Sequence, residues 1–188
     1  MNRVSKVANF YLSKQSMSPK KLQKILYYAY AWTLALLNDD EEHLNNRLFD
    51  SKFEAWVHGP VLPEVYVKYK DYGWNDIPEE ELAQDNSFPK EVTDVLEQVW
   101  DVYGGMNGNQ LEAISHSEAP WGMARGDTPI YEASHNKISD VEIFKFYNWQ
   151  ANLQKKEEHD SLCLSCGAGE NADDGGDGSD SSSGVYNV

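Results

Sequence analysis

The residues with chemical potential are a few histidines, their neighbouring hydroxyls and carboxylates, and one cysteine pair. His159-x3-Cys163-x2-Cys166 places three zinc-type ligands at acceptable spacing. A closed structural zinc site takes four ligands, and no second CxxC exists in the chain, so this is a weak metal candidate. Two free thiols in a tail, or an incidental disulfide, are the simpler readings. His58, His116 and His135 have the chemistry of general bases. Ser115, Ser117 and Ser134 offer hydroxyls, and Glu112 and Glu118 flank His116. A hydrolase would need a nucleophile and an oriented base that converge. No GxSxG elbow, Walker loop, GxGxxG or HExxH accompanies them. His116 is read instead as satisfying backbone groups at a helix end, where a cation is also favoured. The expectation is therefore no enzyme, no catalytic residue and no cofactor.

The elements that must position these side chains are mostly helical. Val4, Val7, Ala8, Tyr11 and Leu12 recur at helical spacing and predict a first helix over residues 2–13. Ser18-Pro19 reads as an N-cap followed by proline at the first helical position. The helix it opens carries Leu22, Ile25, Leu26, Ala29, Thr33, Leu36 and Leu37 in one stripe. Tyr27, Tyr28, Tyr30 and Trp32 extend its apolar surface to nearly all sides, which predicts the central helix of the domain. Lys20, Lys21 and Lys24 at its start read as a solvated face.

Residues 38–47 read as a polar loop. Phe53, Ala55 and Val57 then alternate with Glu54, Trp56 and His58, a period of two that predicts a short strand. Leu48-Phe49 is the nearest candidate for its neighbour. Alternation sends Trp56 to the face opposite Phe53 and Ala55, with His58 beside it. Gly59-Pro60 reads as a rigid corner, and Pro63 opens a third helix to Tyr72 with Gly73 as its stop. A polar connection covers 74–88. Pro89 opens a fourth helix with Val92, Val95, Leu96, Val99 and Tyr103 on one face. Asn109 and Glu112 resemble a capping box for a short helix to His116. Pro120-Trp121 begins a further turn closed by Gly126, and a last helix from Ser139 is expected to reach about Lys156. From Gly167 onward Gly, Ser, Asp and Asn predominate, which predicts disorder.

Composition excludes several functions. With 16 Lys+Arg against 31 Asp+Glu the net charge is −15. Five acids and no Lys or Arg follow Asp160, so residues 1–160 still carry −10. Duplex nucleic acid is not expected as a ligand, because phosphate binding needs a basic patch. Acidity fits steering toward a basic protein partner. No run of 18 apolar residues marks a membrane span, and residues 1–15 lack a signal peptide's apolar core. Two cysteines do not make a secreted disulfide framework, which leaves a cytoplasmic location as the default.

Four segments together carry a family resemblance: VANFYL at 7–12, SPKKLQKILYYAYAW at 18–32, LFDSKFEAWVHGPVLPEVYVKYK at 48–70 and HSEAPW at 116–121. A helix containing IFKFY at 143–147 fits the closing segment. Across about residues 4–150 the chain resembles the Panacea domain family, or SocA-like antitoxins. The resemblance implies a mainly α fold: one compact domain of about six helices over residues 1–158, with a small β element around 48–58. A disordered acidic tail over 159–188 lies outside it. It also implies an antitoxin that neutralises a cognate toxin by direct protein binding, with delivery of the toxin to a cytosolic protease as a variant. A phage- or mobile-element-encoded interaction protein without a toxin is the alternative, and a His-dependent hydrolase ranks last. The family supplies no catalytic residue. Its motif maps to Trp56, Gly59, Pro60, Pro63, His116 and Trp121. Turn chemistry accounts for Gly59, Pro60 and Pro63 as structural residues. Trp56, His58, His116 and Trp121 are the candidates for partner binding, and His116 and Trp121 are expected to pack back near the 53–60 strand.

Overall fold

The structure, a computed structural model, describes residues 3–79 and 87–166, with side chains described through residue 156. It divides into two compact units, Met1–Leu153 and Gln154–Val188. Seven α-helices and one two-stranded sheet occur among the described residues. The helices are α1 (Arg3–Leu12), α2 (Pro19–Leu37), α3 (Pro63–Tyr69), α4 (Lys90–Tyr103), α5 (Gly108–Ser117), α6 (Ala119–Arg125) and α7 (Asp140–Cys166). The mainly α fold with a small β element is thus as expected.

α2 is the axis of the larger unit. Ser18 caps it by accepting a hydrogen bond from the Lys21 amide, and Pro19 opens it. Fourteen of its nineteen residues are buried, which only a helix covered on all sides achieves. α1, α3, α4, α5 and the second strand pack around it. Tyr27, Tyr28 and Tyr30 are all buried. Tyr28 stacks on Tyr103 of α4 at 4.1 Å and donates to the Leu111 carbonyl of α5. α4 buries Val92, Val95, Leu96, Val99 and Tyr103, the stripe its spacing predicts.

The sheet corrects one expectation. β1 (Glu54–Trp56) pairs antiparallel with β2 (Gly59–Val61), which follows it, and not with Leu48-Phe49. Val57 and His58 form the two-residue turn, so Gly59 and Pro60 are strand residues opposite Trp56 and Ala55. Proline is tolerated there because β2 is an edge strand of the pair. The outer edge of β1 is also occupied: Ala55 N–H donates to the Asn136 carbonyl, and Ile138 N–H to that of Phe53. Pro63 opens α3, a 3-10 turn (Lys70–Tyr72) continues it, and Gly73 at φ 58° ends it.

Two boundaries also differ from the sequence reading. The capping box of α5 is Asn107 with Gln110, two residues before the expected pair. Asn109 and Glu112 share its spacing, and the difference frees Glu112 for other partners. α7 extends to Cys166, ten residues beyond Lys156. The side chains of His159, Cys163 and Cys166, and the tail from residue 167, lie outside the described residues. No described helix is long and apolar enough to cross a membrane.

Candidate functional site

The hairpin is held in place by polar side chains that reach its backbone. Lys24 of α2 is 1% exposed and donates from Nζ to the Pro60 carbonyl at 2.9 Å. Gln23 beside it uses both ends of its amide on Leu62: Nε2 donates to the carbonyl and Oε1 accepts from the N–H. Gly59 is required by both space and conformation. Its φ is +90°, and a Cβ there would lie 2.8 Å from Ser115 Oγ and 2.9 Å from Lys24 Nζ. β1 is held from its other side. Trp121 Nε1 donates to the Trp56 carbonyl at 2.9 Å, and Arg125 Nη1 to that of Ala55. Arg125 is itself buried against Trp121 and also donates to the Pro129 and Glu132 carbonyls.

These contacts bring the four candidate residues into one neighbourhood. His116 stacks on Trp121 with ring centroids 4.0 Å apart, and Trp121 is buried beneath β1. His58 is exposed on the turn and hydrogen-bonded through Nδ1 to Glu112 at 2.8 Å. Trp56 is half-buried, with its edge contacts on Tyr66 and His135 and its indole N–H on Glu54. Trp121 therefore reaches the strand as expected. His116 differs from expectation, because its Nε2 is buried without a hydrogen-bond partner among the described residues. Burial pushes its pKa down, so no cation is favoured there.

The carboxylates go elsewhere than to His116. Burial alone would raise Glu112, but hydrogen bonds from Lys20 (2.6 Å) and His58 outweigh it and hold the carboxyl below its ordinary value. Glu118 is buried with the Tyr147 hydroxyl donating to it, and burial pushes it up to about 7. The hydroxyls of Ser115 and Ser117 donate to the carbonyls of Glu112 and Ile114, and Ser134 Oγ accepts from the Asn136 N–H. These bonds link serines to backbone, and carboxylates to lysine, tyrosine and the exposed His58. They do not assemble a nucleophile with an oriented base. No cluster of three metal-ligating side chains occurs among the described residues.

Above the hairpin lies a groove of about 480 Å³ between the start of α2, the turn, α3 and the start of α5. Trp56, Tyr66 and Trp74 supply its aromatic surface, and Lys20, Lys24 and Lys70 its charge. Trp74 is 86% exposed. Lys20 lies over its ring at 5.7 Å while paired with Glu112.

The model of the family described as antitoxin SocA-like, Panacea domain, matches residues 22–122. The chain belongs to this SocA-like Panacea family. The matched segment runs from α2 into α6, and so contains Lys24, the hairpin, Glu112, His116 and Trp121. Among curated proteins, the chain is similar to Antitoxin SocA of Caulobacter vibrioides (strain NA1000 / CB15N), 33% identical over a 131-residue alignment. That alignment covers 61% of this chain and 66% of the relative, so the chain spans slightly less than two thirds of the relative's length. No solved structure matches it.

Sequence reasoning missed Gln23, Lys24 and Arg125, and it read the lysines of α2 as solvated. Lys21 is in fact 8% exposed and donates to the Gly104 carbonyl, and Lys24 is more deeply buried. One signal pointed to them. A helix apolar on all sides leaves its few polar residues no solvent, so each must find a backbone partner.

Proposed function

We propose that this Panacea-family protein is an antitoxin that neutralises a cognate toxin by binding it directly, using the groove above the hairpin. The open aromatic groove carries the reading. It is walled by elements clamped to α2, lies largely within the family-matched segment, and presents tryptophan and tyrosine, the side chains favoured at interface hot spots. Trp56 and His58 are its contact residues on the hairpin. His116 and Trp121 support them from below by fixing the strand. The protein acts without catalysis and in the cytosol.

Co-expression with the product of the neighbouring reading frame tests this. Growth rescue and a co-purifying complex are expected, both lost on Trp56→Ala together with Trp74→Ala. Rescue with no complex would sink the binding mechanism. A toxin level that falls when the antitoxin is present, and recovers in a protease-deficient host, would identify proteolytic delivery instead. His116→Ala should retain rescue, because stacking on Trp121 is its only assigned role. Loss of rescue with an intact fold would revive chemistry at this histidine.

A further inference from the structure

The groove is electrostatically at odds with the rest of the chain. The protein carries −15, yet the groove lining contains three lysines, one histidine and no aspartate or glutamate. Glu112, just outside the lining, balances one of those charges by pairing with Lys20. Lys70, and Lys24 when protonated, leave a positive excess over an aromatic surface.

Lys24 shows why the excess is incomplete as it stands. An ammonium has three N–H donors, and the assigned bond of Lys24 uses one of them, on the Pro60 carbonyl. A cation this deeply buried is stable when a hydrogen-bonded anion compensates it. Here Glu112 acts on it only through space, and the positive Lys20 opposes it. Burial pushes its pKa down to about 7. A carboxylate arriving in the groove would supply the missing counter-charge.

Resting on the antitoxin reading above, we propose that the groove receives an acidic segment of the partner protein. Its carboxylate meets the Lys20, Lys24 and Lys70 edge, and a neighbouring apolar side chain lies on Trp56, Tyr66 and Trp74. Charge complementarity selects this occupant from a chain that is otherwise repellent to acids at long range. The net negative surface still favours a partner that is basic elsewhere, so the segment would be an acidic island on it.

The test uses the full chain and three short capped peptides: one with alternating aspartate and phenylalanine, its asparagine twin and its lysine twin. Adenosine monophosphate serves as a nucleotide probe. Binding is followed by NMR through the indole N–H signals of Trp56 and Trp74. The acidic peptide should move both signals and bind at least about tenfold more tightly than the asparagine twin. That preference should disappear in Lys24→Gln and shrink in Lys70→Glu, which alters only an exposed side chain and so guards against misfolding. Equal affinity for the acidic peptide and either twin, no shift at millimolar peptide, or tighter binding of the nucleotide would each overturn the proposal. A variant with Asp173, Asp174, Asp177 and Asp180 all changed to Asn should bind the acidic peptide as wild type does. A marked gain would make the protein's own tail the occupant and overturn the partner assignment. Toxin co-purification separates the two levels. A complex that forms normally and ignores Lys70→Glu and Lys24→Gln sinks the acidic-segment proposal alone, whereas no complex with the wild type sinks the antitoxin reading.

Discussion

Two buried charges in the same domain have opposite surroundings. Asp140, at the start of α7, is 9% exposed and accepts hydrogen bonds from Tyr30, Arg47 and Lys52. Burial pushes its carboxyl up, but the bonds from Lys52 and Arg47 outweigh this and hold it below its ordinary value. Lys24 is deeper still, has one neutral carbonyl, and lies beside a cavity. Asp140 ties the 47–52 loop to α7 and needs nothing further. Among the described residues Lys24 spends one donor on a carbonyl, and it lines a groove. A fully compensated buried ion is a fastening, and an under-compensated one lining a groove is a receptor for the opposite charge.

That contrast can be broken at four points. The largest effect is expected at the contact between β2 and Lys24. Gly59→Ala imposes a left-handed alanine and pushes against Ser115 and Lys24, so it should cost about 3–4 kcal/mol in chemical denaturation. A change below about 1 kcal/mol would mean that Lys24 swings away easily and is not fixed as a receptor.

Next is Glu118, an under-compensated charge of the opposite sign. Its folded pKa of about 7 lies above the ordinary 4.5. The folded state keeps its proton where the unfolded chain has lost it. Stability is therefore full below about pH 4.5 and declines up to about pH 7, by roughly 3 kcal/mol. Glu118→Gln keeps the acceptor for Tyr147 and should remove that decline, measured as wild type minus variant across the window. An unchanged profile would place Glu118 with the compensated ions.

Asp140→Ala comes third. It strips the counter-charge from Arg47 and Lys52, whose side chains are more than a third exposed and can rehydrate. The expected cost is about 2 kcal/mol. Smallest is Lys24→Met, which exchanges an under-compensated cation for an apolar chain of similar length. Stability at pH 7 should stay within about 1 kcal/mol of wild type or rise. The folded pKa of Lys24 is depressed from 10.5 to about 7. Between those values the unfolded chain binds more protons, so the wild type gains stability as pH rises and the variant should lack that gain. Strong destabilisation by Lys24→Met would erase the distinction from Asp140.

The helical frame was more legible in sequence than either buried ion. Val92, Val95, Leu96, Val99 and Tyr103 announce α4 because helix period is a local property, and the burial of Tyr27, Tyr28 and Tyr30 follows from a helix with no polar side. The sheet was harder. Alternation over residues 53–58 marks β1 but runs on through the turn at Val57 and His58, and Gly59-Pro60 punctuates the chain like a corner while serving as a strand. The lysines of α2 were misread because what buries them lies far along the chain, at Pro60 and Gly104. Alternation alone could place Trp56 on the face opposite Ala55, but it also put His58 in the strand, where the structure has it on the turn. That Lys24 reaches Pro60 and shares a groove with Trp56 and His58 depends on how α2 crosses the hairpin, which no local pattern encodes.

The two hydrogen bonds between the Gln23 amide and Leu62 bear on timing. They lock the exit of the hairpin, and with it the entry to α3 that carries Tyr66, onto the most deeply packed helix of the domain. The wall of the groove is thus shaped before any visitor arrives. Association would need no slow rearrangement on this side of the complex, and differences among visitors would be written in how long each one stays.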